Sequence, residues 1–175
     1  MTIQKINVYE LEELSYLTTV RCADFSEAAA VCLDHNCHNQ EATLSVSGDL
    51  QAEFNLMWKE VNQQMRDSRE DMQDSVESGA YCLAMLVIEK LTKLKVFKQS
   101  QKGTGFDFWL SDESIDGFEA SARLEVSGIL KGSMSQIENR LKEKVEQTRR
   151  SDTMELPAYV VVVEFSHPHL KIVKR

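Results

Sequence analysis

Two apolar segments of the sequence each contain one carboxylate. A turn rich in glycine leads into Asp107 and the apolar segment that follows it, and Glu125 lies within the next apolar segment. If these segments are antiparallel strands joined by the loop 111–121, their register can bring the two carboxylates together. Two carboxylates about 4 Å apart repel by about 4 kcal/mol at an effective dielectric constant of 20, so the pair needs a proton or a cation. We therefore expect Asp107 and Glu125 to bind Mg²⁺ or Mn²⁺.

The amino-terminal part is expected to contain a helix and a hairpin. Asp24 or Ser26 can cap a helix that runs through residues 27–33, because a short polar side chain accepts from the free amides of the first turn. Gly48-Asp49 interrupts an alternation of apolar and polar residues within residues 42–56, which predicts a β-hairpin.

The rest of the chain predicts a mixed sheet with helices packed on it. Apolar residues recur every three or four positions over 58–94, with a break near Asp67-Ser68, which indicates helices. Strands are predicted over 95–100, 105–110 and 122–130, followed by a helix over 135–149 and a strand over 158–165. The last of these is almost wholly apolar, as is typical of a strand covered on both faces.

We therefore predict an α/β fold with a mixed central sheet and a helix-strand-strand-strand-helix-strand core. The chain is expected to form a single domain over residues 1–175, with an N-terminal α/β extension over 1–57 and the core over 58–175.

This element order resembles that of the PD-(D/E)XK nuclease superfamily over residues 69–165. The matching motifs are Gly105-Phe106-Asp107 and Leu124-Glu125-Val126-Ser127. The resemblance implies a restriction-endonuclease-like fold and a Mg²⁺-dependent endonuclease, with Asp107 and Glu125 as metal ligands and Glu77 of the first core helix as an outer contributor. Small residues follow Glu77 at 78–80, and we expect them to let that helix approach the sheet closely.

One position departs from the family pattern. Side chains of a strand alternate faces, so Ser127 shares a face with Glu125, at the place where the family has a lysine. A serine cannot supply the positive charge of that lysine. Lys102, which precedes Asp107, is a candidate for the displaced basic residue, and so are Arg140 and Lys144 on the following helix. The candidate catalytic residues from the sequence are Asp107, Glu125, Ser127 and Lys102.

The same residues have simpler interpretations. Asp107 and Glu125 could face solvent or pair with Arg123 and Lys131, although their apolar neighbours predict burial, and a buried carboxylate needs a partner. Glu77 could be one of several exposed acidic residues on its helix.

Composition limits the possible partners. The chain has 28 acidic and 20 basic residues and a net charge of −8, the wrong sign for binding phosphate backbones unaided. A protein partner that supplies basic surface is therefore expected, with nucleic acid bound through the complex. No apolar run reaches the roughly 20 residues that span a bilayer, so we expect no membrane association and a cytoplasmic location.

Three hypotheses follow. The first is a nuclease-fold subunit of a larger bacterial assembly that cuts or holds DNA; the whole chain also resembles a bacterial family of phage-defence or mobile-element neighbourhoods. The second is a non-catalytic scaffold subunit that has lost the lysine of the motif. The third is an acidic immunity or inhibitor protein that mimics the charge of nucleic acid.

Overall fold

The computed structural model of the chain describes residues 3–112 and 119–175. Residues 113–118, in the loop that follows the Asp107 segment, lie outside the described part. The described strands are β1 (Gln4–Asn7), β2 (Glu41–Gly48), β3 (Ala52–Met57), β4 (Leu94–Gln99), β5 (Phe108–Asp112), β6 (Ala122–Ile129), β7 (Ala158–Glu164) and β8 (His169–Lys174). The described helices are α1 (Thr19–His35), α2 (Gln63–Ser68), α3 (Met72–Thr92) and α4 (Met134–Thr148), with 3₁₀ helices at Val8–Glu10 and Arg149–Met154.

The eight described strands form one mixed sheet in the order β1-β3-β2-β8-β7-β6-β5-β4. Strands β4, β5 and β6 are antiparallel neighbours, and β6 then continues through α4 to β7, which lies parallel to it. The α/β class predicted from the sequence is confirmed. Strands from residues 1–57 belong to the same sheet, because β2 pairs with β8.

Helices cover both faces of the sheet. On one face, α1 and α3 contribute to a large apolar core that includes Phe25, Leu83 and Leu124. On the other face, α4 packs Ile137 and Leu141 against two valines of β7. Every residue of β7 is buried, as its apolar sequence predicts.

Glycines set two close approaches of α3. A Cβ on Gly79 would lie 2.9 Å from the backbone of Ala29, so Gly79 lets α3 approach α1. A Cβ on Gly128 of β6 would lie 2.6 Å from the carbonyl oxygen of Val76 and 3.0 Å from Ala80. Of the small residues 78–80 that were expected to let the helix approach the sheet, Ala80 does so, opposite a glycine of the strand, while Gly79 lies against α1 instead.

The sequence located several element boundaries. The hairpin across Gly48-Asp49 is confirmed as the β2–β3 pair. The break near Asp67-Ser68 is confirmed as well, since α2 ends at Ser68 and α3 begins at Met72 with Asp71 as its cap. No helix covers residues 58–62, where the sequence pattern predicted one.

The predicted cap of α1 is wrong, and one strand was not predicted. Helix α1 begins at Thr19 with Thr18 as its cap, so Asp24 and Ser26 lie inside the helix. Their side chains have tertiary partners instead: Ser26 donates to the carbonyl of Val8, and Asp24 accepts from Arg69. Strand β8 was also missed, and it pairs antiparallel with β7 at one side and parallel with β2 at the other.

Among the described residues, no helix combines the length and the apolar character that a membrane span requires.

Candidate functional site

The site lies where β5 and β6 separate. The pairing of the two strands ends at Phe108 and Leu124, while β6 continues along β7 to Ile129. Asp107 precedes β5 by one residue, and its Oδ2 accepts a 2.8 Å hydrogen bond from the backbone N–H of Val126. The carboxylate thus takes the place of the missing strand partner, which fixes its position against the edge of β6.

Glu125 is buried beneath α4. Its side chain is 1% exposed, and its Oε1 lies 2.8 Å from Lys144 Nζ and 3.0 Å from Gln147 Nε2. Its other oxygen, Oε2, is buried and has no hydrogen-bond partner among the described residues. Glu125 lies opposite Val160, and Ser127 lies opposite Val162, on the face of the sheet that α4 covers. The prediction that Glu125 and Ser127 share a face is confirmed.

Burial raises the pKa of both carboxyl groups. Desolvation is the main cause for Asp107, opposed by the hydrogen bond from Val126. Desolvation and then the charge of Asp107 raise the pKa of Glu125 to about 8, against the opposing influence of Lys144. The two groups are close enough to share a proton. With both ionised, Glu125 Oε2 lacks a donor, so a shared proton or a cation satisfies it.

Tyr81 connects a third carboxylate to this pair. Its hydroxyl lies 2.9 Å from Glu77 Oε1 and 3.3 Å from Asp107 Oδ1. Desolvation, Asp107 and Glu77 all raise the pKa of Tyr81, so the hydroxyl stays protonated and donates. The hydroxyl has one proton, and it forms the shorter hydrogen bond with Glu77 Oε1. Asp107 Oδ1 therefore keeps lone pairs that can bind another ligand.

A cavity of about 520 Å³ opens beside these groups. Residues of α3, including Glu77 and Tyr81, form one wall, and Arg140 and Lys144 of α4 form the other. Arg140 Nη1 donates a 2.9 Å hydrogen bond to Ser127 Oγ on β6. A cationic group therefore lies beside Ser127, although it comes from the helix and not from the strand.

The structure brings most of the predicted site residues together. Asp107, Ser127 and Glu77 line the cavity, and the buried Glu125 pairs with Lys144, which also lines it. Lys102 is exposed and is not among the described residues that line it. Among the alternative basic residues, the structure places Lys144 and Arg140 at the site.

The simpler pairing of Glu125 with Arg123 or Lys131 is wrong. Arg123 is buried and donates to the carbonyls of Thr148 and Leu156 and to Ser151 Oγ. It holds the end of α4 and the following 3₁₀ helix against β6, which in turn fixes the position of Lys144 on the same helix.

Tyr81 and Gln147 were missed in the sequence. Both have a local signal: Tyr81 follows Glu77 by four residues on α3, and Gln147 follows Arg140 by seven on α4. Residues three, four or seven apart share one face of a helix. Each pair therefore forms a polar stripe next to the apolar face of its helix.

The donor set fits a hard divalent cation. The buried Glu125 and the partly buried Asp107 provide oxygen ligands, because the unpartnered Oε2 of Glu125 and the weakly bonded Oδ1 of Asp107 have free lone pairs. In the described part of the chain, no group of three or more His, Cys, Asp or Glu side chains is arranged to hold a metal ion. Glu77 reaches Asp107 through Tyr81 and not directly, so its role as a metal ligand stays a prediction.

Comparison with known proteins identified no relative: no protein-family model matches the chain, and no curated protein or solved structure matches it significantly.

Proposed function

We propose that the protein is a metal-dependent phosphodiester hydrolase of the PD-(D/E)XK type, acting on nucleic acid. The observation that carries the proposal is the Asp107–Glu125 pair beside Lys144: Asp107 lines the cavity, and the buried Glu125 lies 2.8 Å from Lys144 Nζ. Two adjacent carboxylates and one ammonium are the groups that the motif uses, with the lysine supplied by α4.

The topology supports the same proposal. The order α3, β4, β5, β6, α4, β7, with β6 and β7 parallel, is the element order that the resemblance implies. It brings the end of β5, the middle of β6 and one face of α4 to a common point, so the carboxylates and the lysine belong to separate, rigid elements.

Asp107 and Glu125 would hold the cation, which supplies a Lewis acid for a phosphoryl oxygen. The N–H of Val126 fixes the Asp107 carboxylate, so the pair stays in place without substrate. Lys144 carries a positive charge beside the pair and stabilises the negative charge that develops on the phosphate. Arg140 lies on the same wall of the cavity and holds a phosphate oxygen.

A cleavage assay tests the proposal. The full-length protein is incubated with single-stranded DNA, duplex DNA and RNA in Mg²⁺, Mn²⁺ or EDTA. We expect cleavage in the metals and none in EDTA. Asp107→Asn, Glu125→Gln and Lys144→Met should each lower the rate by at least about 100-fold, because each removes charge from the transition state.

Matched controls come from the same helix. Lys142 and Glu138 are exposed on α4, so Lys142→Met and Glu138→Gln should retain the wild-type rate. Circular dichroism confirms that each variant is folded. Absence of cleavage by the wild-type protein in both metals contradicts the proposal, and so does a Lys144→Met variant as active as wild type.

One observation favours a second function, a non-catalytic scaffold with a degenerate nuclease fold. Lys144 Nζ lies 2.8 Å from Glu125 Oε1 and offsets part of the negative charge of the carboxyl pair from within the chain, so the site depends less on a bound cation. Under this alternative neither Mg²⁺ nor Mn²⁺ changes the melting temperature. A melting temperature that rises with Mn²⁺ in wild type and not in Asp107→Asn excludes it.

In either case the charge of −8 argues for a basic protein partner where the substrate is long. A phosphodiester that enters the cavity meets Arg140 and Lys144, while the rest of the chain offers an excess of acidic groups. We propose that such a partner holds the remainder of the nucleic acid.

A further inference from the structure

The cavity has two walls of different chemistry. Arg140 and Lys144 project from α4 on one side, and Met72 and Val76 project from the first turns of α3 on the other. The floor is the edge of β6 beyond Leu124, which β5 no longer pairs. The cleft is therefore cationic on the α4 side, while the α3 side presents Met72 and Val76 together with Tyr81 and the acidic Glu77, with a strand edge between.

We propose that the cleft binds single-stranded nucleic acid, with its phosphates toward α4 and its bases toward Met72 and Val76 of α3. The inference deepens the proposed function by naming its substrate class. Sites for single strands combine a positively charged groove that follows the backbone with side chains, typically aromatic, that stack on the bases. In this cleft α4 supplies the charge, and Met72, Val76 and the ring of Tyr81 on α3 supply the surface for the bases.

A duplex matches the cleft less well. The bases of a duplex are stacked and paired inside it, so Met72 and Val76 of α3 would make no contact with them. Its two strands also carry twice the phosphate charge along the axis, which the excess of acidic residues in this chain repels. A single strand presents one row of phosphates and one row of free bases, and the cleft offers one wall for each.

Arg140 is built to position a phosphate. Ser127, which is 8% exposed, anchors Nη1, while 43% of the Arg140 side chain remains exposed toward the cleft. The anchored guanidinium has further N–H groups for a phosphate, and Glu143, at 3.7 Å from Nε, lies on the exposed side of the helix. Arg140 is therefore a positioning residue for the strand, one helical turn from Lys144.

Fluorescence anisotropy tests the proposal on the full-length protein in EDTA at low salt. The probes are fluorescein-labelled oligothymidine and the same strand in a duplex with oligoadenosine. We expect the single strand to bind at least about tenfold more tightly than the duplex. Arg140→Ala should weaken single-strand binding about tenfold, and Met72→Ala should weaken it several-fold.

Two exposed residues serve as controls. Lys142→Ala removes a charge from the other side of α4, and Met134→Ala removes an exposed methionine from its first turn; both should bind like wild type. Equal or tighter binding of the duplex overturns the proposal, as does an Arg140→Ala variant that binds the single strand like wild type.

Cleavage of the same probes in Mn²⁺ separates this inference from the proposed function. Cleavage of the duplex in preference to the single strand leaves the hydrolase standing and overturns the single-strand assignment. Selective binding of the single strand, lost in Arg140→Ala and without cleavage in either metal, supports the assignment and contradicts the hydrolase.

Discussion

Replacing Glu125 by glutamine should make the protein more stable at alkaline pH. The side chain is 1% exposed and its neighbour Asp107 is also acidic, so folding raises the pKa of Glu125 from an ordinary 4.5 to about 8. Between these values the folded protein holds a proton that the unfolded chain has released. The free energy of unfolding therefore falls as pH rises through this window.

The structure sets the size of the effect. Each tenfold change in proton affinity corresponds to about 1.4 kcal/mol, so a pKa moved from 4.5 to about 8 costs about 5 kcal/mol once Glu125 is ionised. Water that enters the adjoining cavity lowers this cost. We expect Glu125→Gln to be more stable than wild type by about 2 to 5 kcal/mol at pH 9 and to match it within about 1 kcal/mol at pH 5, where glutamine resembles the protonated acid.

Urea denaturation in EDTA, followed by tryptophan fluorescence, measures the free energy of unfolding between pH 5 and pH 9. Glu138→Gln is the matched control, because Glu138 is an exposed carboxylate of α4 whose pKa is lowered by Lys171. It is ionised throughout this range, so its pH profile should run parallel to that of wild type. A difference between wild type and Glu125→Gln that is the same at pH 5 and pH 9 would refute the reasoning.

Three further predictions concern the cation, the packing of α3 on β6 at Gly128, and Arg123, which holds the end of α4. Mn²⁺ at ten times its Kd should stabilise wild type by about 1.4 kcal/mol, a rise in melting temperature of about 3 to 6 °C, and its affinity should increase from pH 6 to pH 8 because binding displaces the proton of the carboxyl pair. Gly128→Ala should lower the free energy of unfolding by about 1 to 3 kcal/mol, since the new Cβ meets the backbone oxygen of Val76. Arg123→Met should lower it by about 2 to 4 kcal/mol, because the carbonyls of Thr148 and Leu156 lose the hydrogen bonds that they accept from its guanidinium.

Differential scanning fluorimetry suffices for the first of these and urea denaturation for the other two. An equal Mn²⁺ shift in Asp107→Asn would place the ion elsewhere. A Gly128→Ala variant as stable as wild type would mean that α3 does not pack tightly on β6. Arg149→Met, which removes an exposed arginine paired with Glu146, is the control for Arg123 and should change stability by less than about 0.5 kcal/mol.

Local pattern predicted much of the fold. The β2–β3 hairpin follows from Gly48-Asp49 between alternating segments, and the break before α3 follows from polar residues that include its cap, Asp71. These features depend on neighbours in the chain, so sequence alone can predict them. Strand β8 depends on β2 and β7 for its pairing, and the start of α1 depends on Thr18, whose preference for the cap position is no stronger than that of Asp24 or Ser26.

For the candidate site, the sequence determined which side chains carry charge and that Glu125 and Ser127 share a face, because strand alternation is a property of the local backbone. It could not show which of Lys102, Arg140 and Lys144 lies near the carboxylates. The tertiary structure shows this, because the crossover from β6 through α4 brings Lys144 to within 2.8 Å of Glu125 while Lys102 stays exposed. The raised pKa of both carboxyl groups is likewise a product of burial, which exists only once the helix covers the sheet.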